Sequence, residues 1–193
     1  MSSPPPHPED HLAACLRLLG WSAAEDPELE QTPERVAGWL REFDPHAPIH
    51  QLTTFETPPG SGPVVLRDLP YHSLCAHHLL PFFGTADVAY RPAERIVGLG
   101  AVPRLLKSIA RRPQLQERLG QQLARELQEQ LGARGVVVRL TARQLCMEMQ
   151  GRGVGSVCVT LTARGAARSS DGRLGALASL DALPHPATAS ETS

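Results

Sequence analysis

Several things are scarce in this chain, and each absence narrows what the protein can be. Net charge is almost nil: 19 Lys+Arg against 20 Asp+Glu leave a formal −1 over 193 residues. No broad field of one sign attracts nucleic acid or a membrane surface, so neither is expected as a partner. No apolar run approaches the roughly 20 residues that a bilayer crossing needs. The opening Met1-Ser2-Ser3-Pro4-Pro5-Pro6 lacks a basic stretch followed by an apolar one and does not read as a secretory signal. Cysteine is limited to four residues, not closely spaced as a disulfide framework would be. Free thiols in a reducing cytoplasm are the simpler account. What remains is 41% hydrophobic residues, ordinary for one globular domain with a substantial core.

Both ends are rich in Pro, Ser, Ala and Thr and have little to bury. Disorder is expected over 1–10 and 169–193, a helical region and connection over 11–62, and the main domain over 63–168. A first helix fits His11 to Leu19, with Leu12, Cys15, Leu16 and Leu19 on one face and Cys15 in the core. A second starts at Thr32-Pro33, with Thr32 as N-cap and Val36, Trp39, Leu40 and Phe43 as its buried stripe. A β region follows from Val64, and Phe82 to Tyr90 reads as a long strand. Pro103 and Pro113 each open a helix. In the second of these Leu115, Leu119, Leu123, Leu127 and Leu131 recur every four residues, and Gly132 closes it. Two strands finish the pattern. Val136, Val138, Leu140 and Ala142 share a face of one; Val157, Val159, Leu161 and Ala163 share a face of the other, with Cys158 opposite as packing. The fold class is α+β: two helices, then β-β-α-α-β-β.

Cys75-Ala76-His77-His78 and the distant Cys146 carry the chemistry. Thiolate and imidazole are preferred zinc ligands, and three protein donors with an open fourth position make a catalytic site. Cys75, His78 and Cys146 are the candidate set, which leaves His77 to move protons beside the metal. The bland alternative is two buried cysteines and two unrelated histidines. Cys75 near the start of the second β segment and Cys146 just past the third lie where strand ends can meet.

Three segments in order resemble the GTP cyclohydrolase I family: Ser73-Leu74-Cys75-Ala76-His77-His78-Leu79-Leu80-Pro81-Phe82-Phe83-Gly84, Arg112-Pro113-Gln114-Leu115-Gln116-Glu117-Arg118-Leu119 and Leu145-Cys146-Met147-Glu148-Met149. The helical Thr32-Pro33-Glu34-Arg35-Val36-Ala37 matches as well. The resemblance implies a tunnelling fold whose antiparallel sheets associate into an oligomeric barrel, usually a decamer, with sites between subunits. It implies zinc on Cys75, His78 and Cys146, with activated water attacking C8 of guanine in GTP and His77 as acid/base. It implies that Gln116 and Glu117 hold the guanine, because a carboxylate matches the paired donor edge of N1–H and exocyclic amine.

The departures from that pattern are selective. Gln144 stands where the family has a histidine that takes part in proton transfer, and an amide cannot exchange a proton near neutral pH. Gly100-Ala101 replaces a serine that sits near the sugar and a lysine that faces the triphosphate. Gln150 replaces a phosphate-binding arginine, with Arg152 two positions on, while Arg104 is retained. The preferred reading is a zinc-dependent, cytoplasmic hydrolase that opens a guanine-type ring, with a substrate other than the triphosphate or a reaction that stops early. Ordinary GTP cyclohydrolase I activity and a non-catalytic purine-binding or regulatory homologue are the alternatives.

Overall fold

The computed structural model describes residues 7–168. The expected C-terminal tail, 169–193, lies outside the described residues. The chain divides into a unit ending at His46 and a unit beginning at Ala47, so the connection expected to close the helical region belongs with the sheet.

In the first unit α1 spans Pro8–Leu18 and α2 spans Thr32–Arg41. The first helix begins earlier than expected because His7 and Asp10 form a reciprocal cap: the His7 amide donates to Asp10 Oδ2 at 3.0 Å. Gln31, not Thr32, occupies the cap position of α2. Cys15 is exposed, not core. Of the expected stripe on α2, Phe43 is buried but Trp39 is 40% exposed, and Ala37 and Pro33 are the buried residues within the helix. A period of four marks an apolar face; two short helices bury only its centre.

In the second unit β1 (Thr54–Glu56) pairs antiparallel with β4 (Arg95–Val97). The main sheet joins β2 (Val64–Cys75), β3 (Pro81–Arg91), β5 (Pro113–Gln114), β6 (Gly135–Gln144) and β7 (Cys158–Gly165) in the order β5-β2-β3-β6-β7. All pairings are antiparallel except β2 with β5. Helices α3 (Ala101–Ala110) and α4 (Gln116–Leu131) lie in sequence between β4 and β6. The short α5 (Leu145–Glu148) follows β6 directly. The β-β-α-α-β-β order is as expected, but Pro113 enters a short parallel strand and α4 begins only at Gln116.

The core forms between the helices and one sheet face. Leu105, Leu106 and Ile109 of α3, Leu119, Leu123, Leu127 and Leu131 of α4, and Val136, Val138 and Leu140 of β6 are all buried. Gly132 ends α4 in the left-handed conformation, φ 62°. Gly84 is required for close approach: a Cβ there would lie 1.9 Å from the Thr141 carbonyl oxygen. β7 begins at Cys158, one residue after Val157, and the apolar face expected there is exposed at its start. Val157 and Val159 are 54% and 59% exposed, while Cys158 is half-buried.

Candidate metal centre and active site

Strand register builds the centre. Leu74 pairs with Pro81, and the next residue, Phe82, pairs with Gln144 at the end of β6. The residues just beyond these pairs, Cys75 and Cys146, therefore meet at one end of the sheet. Cys75 is the last residue of β2, not near the start of a strand as the sequence suggested. A tight turn follows it. The Cys75 carbonyl accepts from the amides of His78 (3.3 Å) and Leu79 (2.8 Å), and the Cys75 amide donates to Leu80 O at 2.8 Å. Leu79 takes φ 54° to close this turn. The Ala76 amide donates to Gln114 O at 2.9 Å, so the two-residue β5 anchors the turn from the far side.

The donor atoms of Cys75, His78 and Cys146 all lie within 4.8 Å of one another. Cys75 Sγ is 3.8 Å from His78 Nδ1. Zinc–sulfur bonds of about 2.3 Å and zinc–nitrogen bonds of about 2.0 Å at tetrahedral angles place donors roughly 3.5–3.8 Å apart, so the set fits a zinc ion with slight contraction. Burial holds the Cys146 thiol above its ordinary range, and the neighbouring Cys75 pushes it the same way. A dication between the two sulfurs would relieve both effects. His77 is exposed, its ring 6.1 Å from that of His78 and nearly perpendicular to it.

A contact absent from the sequence reading steadies α5. Arg143 Nε donates to Glu148 Oε1 at 2.9 Å, and the Arg143 guanidinium lies 5.8 Å from the Phe83 ring centre. The pair brackets Cys146, and the Arg143 bond draws the Glu148 carboxyl below its ordinary range. Opposite charges flanking the cysteine were the available signal.

Gln116 is 4% exposed, and its amide is engaged throughout. Its Nε2 donates to Leu140 O and Cys158 O, both at 3.0 Å, and its Oε1 accepts from Gln144 Nε2 at 2.7 Å. Glu117, the next residue, is exposed in the first turn of α4. Burial raises the Cys158 thiol, and the nearby Glu117 charge adds to the effect. Arg104 is exposed on α3 and its Nε donates to His50 Nε2 at 3.2 Å. Gly100 caps that helix, and a Cβ on it would lie 3.4 Å from Arg104 Nη1. Ala101 is buried. Gln150 and Arg152 are exposed in the loop after α5. The structure thus brings together the three metal donors, and separately Gln116 with Gln144 and Gly100 with Arg104. His50 beside Arg104 was not foreseen.

Two thiols and an imidazole, with no fourth such donor in the cluster among the described residues, form the three-ligand pattern of catalytic zinc. A sequence model of the GTP cyclohydrolase I family matches residues 9–178. "GTP cyclohydrolase 1" of Leifsonia xyli subsp. xyli is 42% identical over 163 residues, covering 79% of this chain and 84% of the relative. The protein of the same name from Lactiplantibacillus plantarum is 42% identical over 143 residues, covering 70% and 76%. That from Aquifex aeolicus is 39% identical over 162 residues, covering 81% and 88%. The chain belongs to the GTP cyclohydrolase I family. It is an enzyme of that zinc-dependent class, which hydrolyses a cyclic amidine, and its β-β-α-α-β-β domain is the tunnelling-fold unit.

Proposed function

We propose that this enzyme holds zinc through Cys75, His78 and Cys146 and opens the imidazole ring of a guanine-type purine at C8. The observation that carries this is the convergence of the three donors at one sheet end. Bound there, zinc supplies a Lewis acid that activates water near neutral pH. Glu117 presents two carboxylate oxygens to the N1–H and exocyclic amine of the base. Its negative charge also suits the first turn of a helix. His77, beside a metal ligand and open to solvent, moves protons at its ring nitrogens.

The reaction stops short of a pterin in this proposal. Gln144 offers an amide that cannot exchange protons and is hydrogen-bonded to Gln116. General acid–base help contributes about 10²–10⁴-fold to a step, and the later steps lack it at this position. On the phosphate side Arg104 is the retained cation. Gly100, Ala101 and Gln150 carry no charge, and Arg152 is the nearest substitute in sequence for the last. That set favours guanine, guanosine or the monophosphate over GTP.

We also propose that copies of the chain assemble, as a decamer in this reading. The outward apolar residues Val157, Val159 and Leu161 support a protein partner on that face. Among the described residues no helix is long and apolar enough to cross a membrane. The free thiols suit a reducing cytoplasm. The relatives' shared name favours a second reading, ordinary GTP cyclohydrolase I activity giving 7,8-dihydroneopterin triphosphate and formate. Incubating the zinc-loaded protein with GTP, GMP, guanosine and guanine, and weighing the products by mass spectrometry, separates the two. A ring-opened or deformylated product from a non-triphosphate supports the proposal. Efficient pterin formation from GTP overturns it.

A further inference from the structure

We infer that Gln144 is a positioning residue for the base clamp, coupling the segment that carries Cys146 to the start of α4. The inference rests on the reading of Glu117 as the group that holds the base. Gln144 is the last residue of β6 and stands two residues before the metal donor Cys146. Its side-chain N–H₂ reaches Gln116 Oε1 at 2.7 Å. Gln116 is the first residue of α4, buried, and its own N–H₂ is held by Leu140 O of β6 and Cys158 O of β7. Three hydrogen bonds thus tie one side chain to two strands and to the metal-bearing segment.

The geometry has two consequences. Gln116 acts within the protein fabric: both ends of its amide are engaged, so reading the base falls to Glu117 alone. The position of Glu117 is then set by Gln116, its neighbour in the chain, and through it by Gln144. The intrahelical bonds of α4 begin only at the Leu119 amide, which donates to Leu115 O at 2.9 Å. The amides of residues 116–118 donate no intrahelical bond, so this first turn is held from within the helix only through its carbonyls. Leu115, the cap residue, makes no side-chain capping bond. The Gln116 side-chain network ties this first turn to the sheet, and Gln144 is its member that stands two residues from Cys146.

The test compares Gln144→Met with Gln144→His in the zinc-loaded full chain. Met fills nearly the same volume but donates nothing, so a packing role survives it. His keeps an N–H donor. Three measurements are made: zinc per chain, guanosine affinity by calorimetry, and hydrogen exchange of the amides of residues 119–122. Leaving the buried Gln116 acceptor without its donor should weaken guanosine binding by about tenfold. Gln144→Met should show that loss together with faster exchange at 119–122, at unchanged zinc content, and Gln144→His should restore both. Unchanged exchange and affinity in Gln144→Met, or an equal loss in both variants, overturns the inference. If the unsubstituted protein fails to bind guanosine while retaining zinc, the base-clamp reading fails and the inference, which rests on it, falls with it. If guanosine binds and the Met variant is unaffected, the clamp reading stands and the positioning role alone is rejected.

Discussion

Gly84→Ala tests whether strand contact assembles the metal site. The added Cβ would fall 1.9 Å from Thr141 O and 2.8 Å from Ala142 Cα, both backbone atoms that no rotamer change can move aside. Restoring an ordinary contact needs β3 and β6 to separate by more than an ångström. Gly84 pairs with Ala142, two positions along the strands from the Phe82–Gln144 pair that brings Cys146 to Cys75. Overpacking of this kind costs about 1–3 kcal/mol. One or two weakened ladder bonds add about 1 kcal/mol each. A total of about 2–5 kcal/mol lowers Tm by roughly 4–20 °C at some 2–4 °C per kcal/mol. Zinc affinity should fall in parallel, because the two thiols move apart. Gly62→Ala is the control: it has ordinary φ and meets nothing within 4 Å. Scanning calorimetry and zinc titration provide the readouts. A Gly84→Ala protein with the unsubstituted Tm and zinc affinity would refute the claim that this close approach holds the site together.

Three further outcomes are expected. Cys146→Ala should lose most of its zinc on metal analysis; full occupancy would remove Cys146 from the ligand set. Glu117→Ala should weaken guanosine binding by about 1–3 kcal/mol, leaving zinc and assembly state unchanged; an unaltered calorimetric titration would mean the base is held elsewhere. The unsubstituted protein should make little dihydroneopterin triphosphate from GTP, and Gln144→His, Gly100→Ser, Ala101→Lys and Gln150→Arg together should raise pterin fluorescence. Ala101 is buried, so the lysine must extend its charge past the helix core for that gain to appear.

Much of this protein is legible along the chain. The Leu119–Leu123–Leu127–Leu131 series predicts a helix with one buried face, and α4 buries all four residues. Cys75, His78 and Cys146 declare themselves by residue type, because few side chains bind zinc. Periodicity reveals that a face is apolar, but not what lies against it. Cys15 sits on an apolar helix face and is exposed, as are Val157 just before β7 and Val159 within it. Nor does a two-residue strand such as β5 carry a pattern long enough to read, although it anchors the metal turn. Gln116 and Gln144 are 28 residues apart, and their hydrogen bond exists only because β6 and the start of α4 meet over the same sheet end. Residue chemistry chose the metal donors locally. Strand register, a long-range property of the whole sheet, decided that they meet and that Gln144 reaches Gln116 at the start of α4.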